Sequence, residues 1–206
     1  MKVKICGITS FDDASAALAL GADALGFNFH PGSPRYTDPA TARGIVSRLP
    51  PFAAAVGVFV NPGSPADVLR IARAAGVGVL QLHGDESPEF CRALADWPLV
   101  KAVRVGGGLD PGVLARYPVR AFLLDAYEET AYGGTGRTFN WERAAALRGI
   151  GAIILAGGLT PENVGRAIRT VRPYAVDVCS GVEAAPGRKD KAMMARFMEE
   201  VHNAAD

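Results

Sequence analysis

The sequence is poor in the residues that disulfide and metal chemistry draw on. Among 206 residues there are three cysteines, Cys6, Cys91 and Cys179, and three histidines. An odd, widely spaced set of cysteines builds neither a disulfide framework nor a Cys-x-x-Cys metal knuckle, and it implies a reducing compartment. Basic runs are also missing and the net charge is +1, which argues against a nucleic-acid surface. No stretch approaches the ~20 consecutive apolar residues of a membrane span. The opening Met1–Asp13 holds no hydrophobic segment of signal-peptide length. A soluble, cytoplasmic chain is expected, with no membrane or nucleic-acid partner, and monomer and homodimer both stay open.

About half of the sequence is apolar, enough for one domain with a real core across residues 1–206. Short β-rich runs alternate with Ala/Leu-rich helical stretches. The predicted strands are Val3–Cys6, Ala24–Phe29, Ala54–Val60, Val79–His83, Val100–Val105, Ala121–Asp125, Ala152–Ala156 and Ala175–Val178. Helices are predicted at Asp12–Leu20, Pro39–Leu49, Pro65–Ala75, Pro88–Ala95, shortly after Asp110, and at Trp141–Leu147, Pro161–Thr170 and Asp190–His202. Eight strand–helix units at a near-constant period point to an α/β fold, a (β/α)8 TIM barrel. The alternative, an open doubly wound sheet, wants a helix-opening Gly-x-Gly-x-x-Gly after the first strand. Cys6-Gly7-Ile8-Thr9 is not one.

Alternation along the strands sorts side chains by face. Val3 and Ile5 oppose Lys4 and Cys6; Leu80 and Leu82 oppose Gln81 and His83; Phe122 and Leu124 oppose Leu123 and Asp125. One face is apolar and meets the helices. The other turns polar toward the C-terminal strand ends, which places Cys6, Asn28, His83, Asp125 and Asp177 around one mouth. Lys4 lies one layer deeper and needs a buried partner, for which Asp177 on the adjoining last strand is the candidate. His83 reads two ways, as a hydrogen-bonded strand-end histidine or as a substrate contact. Two further strand ends carry glycines, at Gly157-Gly158 and at Ser180-Gly181, and each is predicted to lead into a helix start. Thr160 would cap the first of these helices, with Pro161 its first residue. Such a pair of turns suits a phosphate group, because glycine permits close approach and helix N-termini favour anions.

Several motifs together carry a resemblance. They are Lys4-Ile5-Cys6-Gly7-Ile8-Thr9, Gly32-Ser33-Pro34-Arg35, Gln81-Leu82-His83-Gly84, Leu123-Leu124-Asp125, Gly133-Gly134-Thr135-Gly136 with Phe139-Asn140-Trp141, Leu155-Ala156-Gly157-Gly158-Leu159, and Ser180-Gly181-Val182-Glu183. In this order, over nearly the whole chain, the sequence resembles phosphoribosylanthranilate isomerases. The resemblance implies an Amadori rearrangement of N-(5-phosphoribosyl)anthranilate in tryptophan biosynthesis, on a barrel that uses no metal and no cofactor. By position it implies Cys6 as general base, Asp125 as general acid and Arg35 as the partner of the anthranilate carboxylate. The stretch from Ala126 to Asn140 reads as a flap over the mouth. Two positions depart from the family pattern: Cys179 stands where Ser or Ala is usual, and Asn140 where Asp is usual. Cys179 is therefore a rival thiol near the phosphate end.

Three other readings compete. A metal-dependent pentose-phosphate epimerase needs histidines and carboxylates clustered at strand ends. Here His30 lies just past a strand and His202 in the last helix, so only His83 is well placed. A Schiff-base lysine enzyme needs a lysine at a strand's C-terminal end, whereas Lys101 begins its strand and Lys4 lies too deep. A catalytically silent phosphosugar-binding barrel would not need Cys6 and Asp125 together.

Overall fold

The computed structural model describes residues 1–104, 110–125, 141–145, 147 and 149–205. Eight parallel strands close on themselves: β1 (Lys2–Cys6), β2 (Ala24–Asn28), β3 (Ala54–Phe59), β4 (Val79–Leu82), β5 (Leu99–Arg104), β6 (Ala121–Asp125), β7 (Ala152–Ala156) and β8 (Ala175–Val178). They follow chain order around the barrel, and β8 pairs back onto β1 with Lys4 opposite Asp177. This closure establishes the (β/α)8 barrel and removes the open-sheet alternative. Observed strand ends lie within one or two residues of the predicted ones. The predicted flap at 126–140, Asn140 within it, and Val105 lie outside the described residues.

The helices are α1 (Phe11–Ala19), α2 (Pro39–Val46), α3 (Pro65–Ala75), α4 (Pro88–Arg92), α5 (Pro111–Leu114), α6 (Trp141–Ala145), α7 (Val164–Val171) and α8 (Lys191–Ala205). Four of them start alike. Asp38, Ser64, Ser87 and Asp110 each accept a backbone N–H of the first turn, and each is followed by a proline at the first helical position. That proline loses no hydrogen bond there, and its fixed φ already suits the helix.

Between strands and helices runs the main core, with Ile5, Leu25, Phe27, Leu80, Leu82, Leu124 and Leu155 fully buried. Burying one such side chain contributes about 1.5–3 kcal/mol. A smaller cluster of Val100, Ala102, Ala121, Leu123 and Ala156 fills the barrel interior. The alternation expected from sequence is thus the partition observed.

Two local expectations are corrected. First, α7 begins at Val164, not at Pro161. The Asn163 side chain turns back over the loop, accepting from Thr160 N–H at 2.9 Å and donating to the Gly158 carbonyl at 2.9 Å. Residues 161–163 therefore form a turn that Thr160 and Asn163 hold from both ends, and the regular helix follows it. Second, Ser180-Gly181 opens no long helix. Ser180–Val182 makes a single 3-10 turn, followed by the short antiparallel hairpin β9 (Glu183–Ala185) and β10 (Arg188–Lys189), and only then by α8. Among the described residues no helix is long and apolar enough to cross a membrane.

Candidate active site

The C-terminal strand ends enclose a cavity of about 290 Å3. Cys6, Arg35, His83, Asp125, Gly157, Gly158, Asp177 and Ser180 all line it. Residues singled out from sequence on six different strand ends and loops thus meet in one space.

Gly181 lies against the loop after β7. A β-carbon built there would strike the Leu159 carbonyl oxygen, so only glycine lets the two turns touch. Gly157 and Gly158 sit at φ +83° and +63°, in the left-handed region that glycine enters without strain.

Cys6 ends β1 with its sulfur held in a crowded, charged setting. Across the barrel wall a β-carbon on Gly26 would lie 2.7 Å from its Sγ, so β2 keeps a glycine where the thiol needs room. A hydrogen bond from the Cys179 thiol holds the Cys6 thiol well below its ordinary value. The Lys4 and Lys189 ammonium groups add to this, and together they outweigh burial. Cys179 moves the opposite way, because the hydrogen bond it gives to Cys6 and its own burial both keep it a thiol. Of the two thiols at the mouth, the surroundings thus favour the charged form at Cys6 and the neutral form at Cys179. Cys91 is buried away from the site, and burial pushes it up to about 11.

Beneath Cys6, Lys4 Nζ donates to Asp177 Oδ1 at 2.9 Å, with both side chains 6% exposed. The expected ion pair is present. Burial pushes Asp177 up to about 7 although Lys4 pulls it down. Burial works against the Lys4 charge as well, but Asp177 and Cys6 more than offset it and keep the ammonium protonated.

On the opposite wall, His83 Nε2 lies 3.0 Å from Asp125 Oδ2, and Gln81 Nε2 lies 2.9 Å from His83 Nδ1. The histidine is thus a strand-end residue with partners on both nitrogens that also faces the cavity.

Arg35 is brought in by the loop after β2. Ser33 Oγ accepts from Arg35 N–H and from Asn28 Nδ2, each at 3.1 Å, which ties the loop to the strand end. The guanidinium grips Glu183 in bidentate fashion, Nε to Oε1 at 2.9 Å and Nη2 to Oε2 at 2.7 Å. Glu183 also accepts from Lys189 Nζ at 2.9 Å, and Lys189 is wholly buried. Glu183 and Lys189 were not singled out from sequence as site residues. Glu183 stood in a motif without a role, and the two-residue strand that carries Lys189 is too short to show periodicity.

Lys101 is no free amine. Its Nζ donates to Glu86 Oε2 at 3.0 Å and to the carbonyls of Gly84 and Ala102 at 2.6 and 2.9 Å. Among the described residues, no group of three or more His, Cys, Asp or Glu side chains is arranged to hold a metal ion.

The geometry joins a cysteine, a carboxyl group, an arginine and two glycine turns around a sugar-sized space. The family described as N-(5'phosphoribosyl)anthranilate (PRA) isomerase matches residues 3–200. The N-(5'-phosphoribosyl)anthranilate isomerase of Geobacter sulfurreducens is 55% identical over 200 residues, which covers 96% of this chain and 97% of that one. The crystal structure of phosphoribosyl anthranilate isomerase from Thermotoga maritima is similar with a TM-score of 0.90 at 44% identity, covering 98% and 99% of the two chains. A further solved isomerase, at TM-score 0.87 and 42% identity over 98% and 99% of the chains, holds reduced 1-(o-carboxyphenylamino)-1-deoxyribulose 5-phosphate. The chain belongs to the N-(5'-phosphoribosyl)anthranilate isomerase family.

Proposed function

We propose that this chain converts N-(5-phosphoribosyl)anthranilate to 1-(2-carboxyphenylamino)-1-deoxyribulose 5-phosphate, the isomerisation step of tryptophan biosynthesis, by acid–base catalysis. The observation that carries the reading is the shared cavity: Cys6 on β1 and Asp125 on β6 border one space that also meets the glycine turns. Asp125 gives its proton to the furanose oxygen, the C1–O bond breaks, and the anilino nitrogen's lone pair forms the iminium. The iminium acidifies C2, and the Cys6 thiolate takes that proton to leave an enolamine. Loss of the C2 hydroxyl proton and gain of one at C1 complete the ketose. Each positioned proton transfer contributes about 10²–10⁴-fold.

The remaining residues bind. Backbone N–H groups around Gly158, Ser180 and Gly181 take the phosphate, in turns that only glycine fits. Arg35, held by Glu183, presents the rest of its guanidinium to the anthranilate carboxylate. The chemistry is assigned to side chains alone, and a reducing cytoplasm suits a catalytic thiolate.

The test uses Cys6→Ser and Asp125→Asn, assayed for turnover and titrated with the reduced ketose phosphate bound by the solved relative. Turnover falls about 10²-fold or more in each while the analogue still binds. Near-normal turnover in both variants, with binding intact, would show a phosphosugar-binding barrel whose thiol and carboxyl do no chemistry.

Self-association is the second part of the proposal. The Thermotoga maritima relative is described as dimeric. In this chain Phe52, which follows Pro50-Pro51 on the loop before β3, is 98% exposed. By analogy with that relative, the reading includes a homodimer that covers this ring.

A further inference from the structure

We propose that Gln81 is a positioning residue that keeps His83 neutral, and so keeps Asp125 able to carry the proton it delivers. This rests on Asp125 being the acid. Gln81 lies on β4 inside the barrel, 1% exposed, in register with Val58 of β3 and Val100 of β5. Buried at that depth, it acts only through its neighbour.

Its amide nitrogen stands 2.9 Å from His83 Nδ1. An amide nitrogen only donates, so Nδ1 must accept. The one ring proton then sits on Nε2, 3.0 Å from Asp125 Oδ2, and the imidazole donates to the carboxyl group.

The alternative protonation state shows why this matters. Three acidic groups, each favouring a positive ring when ionised, bear on His83 from other strands: Asp125 on β6 beside Nε2, Asp177 on β8, and Cys6 on β1 across the cavity. Opposing them are Lys101 and Arg104 on β5, which border the adjoining hollow with His83, and Arg35 and Lys4 toward β1 and β2; Asp85 also borders that hollow, and Glu86 neutralises Lys101. Imidazolium would place a second N–H against the amide N–H of Gln81, a clash of two donors. It would also set a full positive charge against Asp125 and hold it as carboxylate, with no proton to give to the ring oxygen. A neutral Nε2–H avoids that. Its hydrogen bond strengthens as Asp125 becomes negative on releasing its proton, so it favours the transition state over the resting acid.

The experiment compares Gln81→Glu with Gln81→Leu. A carboxylate at 81 accepts from Nδ1–H and brings on the imidazolium. For Gln81→Glu we expect kcat to fall about tenfold or more while KM stays within about twofold. The alkaline limb of the kcat profile, which marks loss of the acid's proton, moves to lower pH. Gln81→Leu removes the donor without supplying an acceptor and falls between the two. Nitrogen-15 histidine spectra of the unliganded protein at about pH 8 show the Nε2–H tautomer for His83 in the parent, and the imidazolium in Gln81→Glu. An Nδ1–H tautomer or an imidazolium in the parent would overturn the proposal, and the parent spectrum needs no variant to fold. So would an unshifted alkaline limb with parental kcat in Gln81→Glu. Failure of the acid assignment reads separately, as retained turnover in Asp125→Asn.

Discussion

Cys6 owes its thiolate to groups from three parts of the chain: Lys4 two residues away, Cys179 just past β8, and Lys189 on β10. The sign of each effect is open to test. In the proposed reaction the Cys6 thiolate is the base, lost as pH falls through a value that these neighbours hold below that of an ordinary thiol. Cys179→Ala removes the S–H donor, so the Cys6 thiol rises and the acid limb of kcat/KM moves to higher pH. An unmoved limb would mean that the two lysines suffice. Room matters as much as charge. Gly26→Ala would put a β-carbon 2.7 Å from Cys6 Sγ and 3.1 Å from Lys4 Cε. Turnover should drop about tenfold or more, with circular dichroism unchanged, because the displaced atoms are those that must meet C2.

At the scale of elements, the loops after β3 and β4 hang on one buried carboxylate. Glu86 takes Lys101 Nζ, Asn61 N–H and Gly84 N–H, at 3.0, 2.9 and 3.1 Å. Both members of the Glu86–Lys101 pair are about 2–3% exposed. Glu86→Ala leaves an ammonium buried without its counterion, and urea unfolding should show a loss of about 3–5 kcal/mol. What the sequence made legible also sorts by element. Period-two alternation put Cys6, His83, Asp125 and Asp177 on the inner face and matched Lys4 with Asp177, because a closed parallel barrel leaves each strand only two faces. The hairpin of β9 and β10 escaped notice, since strands of three and two residues show no period. The start of α7 was misplaced because Thr160-Pro161 looks like a capped helix start, whereas Asn163 folds back on Gly158. No local pattern announces that a side chain will bond five residues behind itself.

For the whole molecule, the proposed homodimer gives a simple expectation. Phe52→Asp places a charge where an aromatic ring would be covered, so sedimentation should shift from dimer toward monomer, with the barrel's circular dichroism unchanged. A parent chain that sediments as a monomer would remove the dimer from the reading. Barrel closure sets a second long-range dependence. β1 pairs on one side with β2 and on the other with β8. The hairpin after β8 reaches back to the beginning of the chain: Thr9 Oγ1 donates to the Gly187 carbonyl at 2.5 Å, Lys189 N–H to Asp13 Oδ2 at 3.1 Å, and Arg35 to Glu183.

That stitching sets an order of events during synthesis. The Cys6 sulfur is synthesised well before Asp177, Cys179, Glu183 and Lys189, which surround it. A nascent chain stalled before residue 177 lacks the carboxylate partners of Lys4 and Arg35 and the Cys179 and Lys189 groups beside the Cys6 thiol. The pocket is therefore completed only when β8 and the hairpin after it have folded back onto β1 and the loop that follows it.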